Sequence, residues 1–118
     1  MTHPKADIHV RSLAEYGLGK ALELQARQSS AAESETLFRS AFDHYQAIIS
    51  GKNLNAAAGE KVDLPCYRMV AIDAAKLAED RKQWQVAVNI YKDLIKEIPA
   101  IRESVERKMQ RAMEQLNF

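Results

Sequence analysis

The chain has 118 residues, 47% of them hydrophobic and 28% charged, and its 17 Lys and Arg nearly balance 16 Asp and Glu. That is one ordinary globular domain's worth of sequence, long enough to bury a core of its own. A formal charge of +1 argues against a nucleic-acid partner, because such affinity comes largely from neutralising phosphates.

The start, MTHPKADIHV, carries no apolar signal core, and no run approaches the roughly 18 apolar residues of a membrane span. A single cysteine, Cys66, cannot form an internal disulfide. The segment therefore reads as cytoplasmic by default, although a piece cut from an exported parent would look the same. Four Gly and three Pro are too few breakers for a short-stranded all-β fold. The abundant Ala, Leu, Glu, Lys, Gln and Arg are good helix formers.

From Val10, apolar or small residues recur at Leu13, Ala14, Gly17, Leu18, Ala21 and Leu22, the rhythm of an amphipathic helix. Asp7 suits its N-cap. The polar stretch from Gln28 to Ser34 reads as a connection. A second helix is expected from about Glu35 to Ile49, with Leu37, Phe38, Ala41, Tyr45, Ile48 and Ile49 on one side and Ser50-Gly51 as its stop. Gly51–Asp63 has no sustained period and reads as a surface loop. Asp63-Leu64-Pro65 then opens a third helix that runs to about Arg81. That helix is apolar almost all round, which suits the centre of a domain. A fourth helix spans Trp84 to Ile98 and is ended by Pro99. The fifth, Ala100 to about Leu116, sets Ile101, Val105, Met109, Ala112, Met113 and Leu116 against a polar face of Arg102, Glu103, Glu106, Arg107, Gln110 and Glu114.

The fourth helix echoes the second. At an offset of 46, Trp84 falls on Phe38, Ala87 on Ala41, Tyr91 on Tyr45, Leu94 on Ile48 and Ile95 on Ile49. Together with Ala75 on the preceding helix and Pro99 at the close, this pattern resembles a tetratricopeptide repeat (TPR), a 34-residue helix–turn–helix with aromatic, small and proline signposts. The likeness is strongest over Arg68 to about Leu116 and extends to Phe38–Ile49. Ala71 and Ala74 stand where that family tends to have an aromatic and a leucine. Gly19 to Ala41 takes 22 residues, where Ala75 to Ala87 takes 12.

The resemblance implies an all-α, right-handed antiparallel helix-hairpin solenoid of about five helices with a C-terminal capping helix. It is a single domain of residues 1–118: a first hairpin over about 8–50, a loop over 51–63, a second hairpin over about 65–99 and a cap over about 100–117. Trp84 would fill the space between hairpins. In such proteins the first helix of each hairpin lines a groove for peptides or partner helices. The matching positions include Tyr16 and Lys20 on the first hairpin, and Met69, Ile72 and Lys76 on the second. Ile72 and Asp73 stand where chaperone-binding members place the lysine and asparagine of a carboxylate clamp, so that activity is not implied.

No catalytic constellation emerges. GLGK, Gly17 to Lys20, lacks the strand before it and the hydroxyl after it that a phosphate loop requires, and AGEK, Ala58 to Lys61, fails alike. His3, His9 and His44 have no ligand spacing. Cys66 reads as a small buried filler, and the many carboxylates follow solvated helix faces. The expected function is a non-enzymatic scaffold segment of a longer TPR protein, with no cofactor or metal and with a protein or peptide partner. The alternative is an assembly domain that forms a homodimer through the surface of the first helix. A more distant possibility is an enzyme or regulator with Gly51–Asp63 as a lid.

Overall fold

A computed structural model describes residues 8–51 and 63–116. Asp7, His3, residues 52–62 of the expected loop with its AGEK sequence, and the last two residues lie outside them. Among the described residues every element is helical. They are α1 (Ile8–Arg27), α2 (Ala31–Ile49), α3 (Leu64–Asp80), α4 (Trp84–Glu97), a 3-10 turn (Pro99–Ile101) and α5 (Arg102–Leu116). None of these helices is long and apolar enough to cross a membrane. The chain divides into two compact units, Met1–Tyr67 and Arg68–Phe118, with the boundary inside α3.

In the first unit α1 and α2 are joined by three residues, not by the long connection that the polar composition suggests. Ser29 closes α1 by donating its hydroxyl to the Gln25 carbonyl at 2.7 Å. Ser30 opens α2, its Oγ accepting from the Glu33 amide at 3.4 Å. Serine at the N-cap and glutamate three residues on is a helix-start signature, and it moves the start of α2 to Ala31. Glu15 near the start of α1 meets His44 near the end of α2, and Arg27 at the end of α1 lies over Phe38 earlier in α2, so the two helices run antiparallel.

The face that α1 packs is not its apolar stripe. Its buried residues are Ser12, Gly19, Glu23 and Ala26. Val10, Leu13, Leu18 and Leu24 are instead 53%, 42%, 54% and 59% exposed, and Ala14, Gly17 and Ala21 between them are exposed too. The physical reason lies on α2. Tyr45 is fully buried, so its hydroxyl needs an acceptor and its ring needs room. The polar side of α1 supplies both, in Glu23 and Gly19.

In the second unit, α3 ends in a tight cap. Lys82 takes a left-handed conformation at φ 60. The Lys82 amide donates to the Glu79 carbonyl at 2.9 Å and the Gln83 amide to that of Ala78 at 2.8 Å, a standard way of satisfying the last carbonyls of a helix. The chain then turns into α4. Ala71, Ala74, Ala75 and Ala78 on α3 and Ala87 on α4 are all buried, and small side chains let backbones approach closely. Val70 and Leu77 of α3, Val88, Ile90, Tyr91, Leu94 and Ile95 of α4 and Val105 and Ala112 of α5 complete the core. The polar face expected on α5 is exposed along its whole length.

Candidate interaction surfaces

Of the residues singled out as partner-contacting, Tyr16 and Lys20 belong to the first unit. Tyr16 is half-buried, its ring centroid 6.0 Å from that of Tyr45 and tilted by 35°. Lys20 Nζ lies 6.0 Å from the Tyr16 centroid, a cation over an aromatic face. Met69, Ile72 and Lys76 recur at i, i+3 and i+7 on the part of α3 that belongs to the second unit. Met69 is 38% exposed, Lys76 is exposed, and Ile72 is half-buried.

A polar network sits behind the exposed stripe of α1. Tyr45 donates to Glu23 Oε1 at 2.8 Å, and the Arg27 guanidinium reaches Glu23 Oε2 at 3.0 and 3.3 Å. His44 Nδ1 meets Glu15 at 3.0 Å. The Tyr45–Glu23 and His44–Glu15 contacts tie α1 to α2, so the network reads as the specificity of their pairing. The GLGK sequence lies within α1. A Cβ on Gly19 would stand 2.5 Å from Tyr45 Cε1, whereas one on Gly17 would meet nothing within 4 Å.

The second unit holds a cavity of about 280 Å³ lined by Lys76, Glu79, Trp84, Tyr91, Lys108 and Arg111, with Ala112 and Gln115. Trp84 is only half-buried; it forms a wall of this cavity and is not a fully enclosed filler. Tyr91 donates its hydroxyl to Glu79 Oε1 at 3.2 Å. Burial pushes the Tyr91 phenol far above its usual range, the Glu79 carboxylate adds to the shift, and Arg111 opposes it. Sequence reading reached Lys76 but missed Lys108 and Arg111. Their signal is two cations at i and i+3 on the flank between the apolar and polar faces of α5.

Other groups with chemical potential are quiet. Cys66 is buried; burial raises its thiol pKa and the Asp63 carboxylate raises it further, so the thiolate that would react is disfavoured. Among the described residues no three His, Cys, Asp or Glu side chains gather to hold a metal ion. No protein-family model, curated protein or solved structure matches the chain.

Proposed function

We propose that the chain is a non-enzymatic, TPR-like interaction module, a scaffold segment whose partners are proteins or peptides. One observation carries this reading. α1 turns Leu13, Leu18 and Leu24 to solvent while it packs on α2 through its opposite side. A contiguous exposed apolar face of this kind marks an interaction site more often than idle surface. The repeat reading draws support from Ala75, Ala87 and Tyr91, which resemble the family's signposts and lie in the core, and from Pro99, which follows α4. Tyr16, Lys20, Met69, Ile72 and Lys76 remain the proposed partner-contacting residues of their respective units.

A second reading, self-association, is favoured by the symmetry of the stripe about Gly17. Val10 and Leu24 lie seven residues to either side, and Leu13 and Ala21 lie four to either side. In a two-fold antiparallel pairing of two copies centred on Gly17, Leu13 would face Ala21 of the second copy and Val10 would face Leu24.

The test is a peptide-display selection on the wild-type chain, with each binder then measured against Leu13→Glu/Leu18→Glu and against Met69→Glu. Loss of about tenfold or more in affinity, equal to about 1.4 kcal/mol, with circular dichroism unchanged, is the expected result. Binders indifferent to both surfaces would remove the reading.

A further inference from the structure

The cavity of the second unit has a composition of its own. Lys76 comes from α3, Lys108 and Arg111 from α5, and the one lining carboxylate, Glu79, is already engaged by the Tyr91 hydroxyl. Three cations therefore stand against one carboxylate. The N-terminus of α4 adds to this bias. Its N-cap, Gln83, makes no side-chain cap bond, its first residue Trp84 lines the cavity, and a helix N-terminus carries partial positive charge. The indole of Trp84, the ring of Tyr91 and the methyl of Ala112 supply apolar wall.

We propose that this cavity is the docking point for an acidic peptide segment, its side-chain carboxylates held by Lys76, Lys108 and Arg111 and a neighbouring apolar side chain resting on Trp84. The proposal rests on the interaction-module reading and names the chemistry of the partner. The lining decides the kind of anion, because a bare phosphate offers nothing to the indole of Trp84 or the ring of Tyr91. The apolar wall then favours a ligand that brings carbon together with charge, and a short acidic peptide does so. Cations drawn from two helices fix orientation and give salt dependence, while the aromatic contact supplies affinity.

Trp84 is the chain's one tryptophan, so its fluorescence reports on this wall alone. The probe is an acetylated, amidated pentapeptide of four glutamates around a central leucine. Parallel titrations use the lysine counterpart of that peptide and inorganic phosphate. The expected result is a saturable change with the acidic peptide that weakens with salt and is absent with the basic one. Lys108→Glu/Arg111→Glu and, separately, Lys76→Glu should weaken it about tenfold or more, again about 1.4 kcal/mol, at unchanged helicity. No response of Trp84, a response that survives both charge reversals in folded protein, or the same response to phosphate at equal concentration would each overturn the proposal. If Trp84 is silent while display-selected binders still depend on the α1 face or on Met69, the acidic site falls and the interaction-module reading stands.

Discussion

Two glycines of α1, two residues apart, have opposite jobs. Gly19 lies beneath Tyr45, where an added Cβ would sit 2.5 Å from Cε1 and 2.8 Å from Cδ1, and 3.3 Å from the Ala41 carbonyl oxygen. Tyr45 is fully buried, and its hydroxyl is tied to Glu23 at 2.8 Å, so the ring has nowhere to swing. Gly17 faces open space. Alanine in a helix interior gains about 1 kcal/mol over glycine, while overpacking a tight contact costs about 1–3 kcal/mol. Gly17→Ala should therefore stabilise the protein by about 0.5–1 kcal/mol, and Gly19→Ala should destabilise it by about 1–2 kcal/mol net of the propensity gain. Urea midpoints compare the two directly. Equal stabilisation by both would mean that the helices do not meet at Gly19. Periodicity alone cannot separate these residues, because both look like small members of one helix. Only the partner residue, Tyr45, makes one of them indispensable.

At the scale of the helix, the ends divide into those that punctuation announces and those that it does not. Gly51 at φ 78 closes α2, Pro65 sits in the first turn of α3, and Pro99 follows α4; each was legible because glycine and proline restrict the backbone in known ways. The α1–α2 turn has neither residue, so the polar stretch Gln28–Ser34 looks like a loop. Its first half is the turn, while Ala31–Ser34 is the opening of α2, capped by Ser30. The α3–α4 turn hides a different feature. Lys82 holds a left-handed conformation at φ 60, which costs an ordinary residue about 1–2 kcal/mol. Lys82→Gly relieves that strain and gives back part of the gain through the more flexible unfolded chain. The expected net effect is a stabilisation of about 0.5–1 kcal/mol, read as a higher melting temperature at unchanged helicity. A lower melting temperature would mean that the lysine side chain contributes more at this turn than its backbone strain costs.

Across the chain as a whole, the all-helical class and the paired pattern of α2 and α4 were legible, but the outward side of α1 was not. Apolar periodicity says which face of a helix is apolar, and the usual inference that this face is packed reverses here. Glu23, Glu15 and Gly19 satisfy Tyr45 and His44 of α2, and the leucines are left outside. The reversal has a direct energetic consequence. Buried leucines replaced by glutamate would cost several kcal/mol, whereas substitutions on exposed surface usually stay within about 0.5 kcal/mol each. Leu18→Glu and Leu24→Glu, at 54% and 59% exposure, should thus leave the urea midpoint of dilute protein almost unmoved. A loss of several kcal/mol from either would show that the stripe is core after all. The same variants separate the two readings of the exposed face. Association that buries the stripe stabilises the folded state by mass action. If the occupant is a second copy, the wild-type midpoint rises with protein concentration and the rise vanishes in Leu18→Glu. If the occupant is a different protein, neither midpoint depends on concentration, and the wild type alone is stabilised when that partner is added.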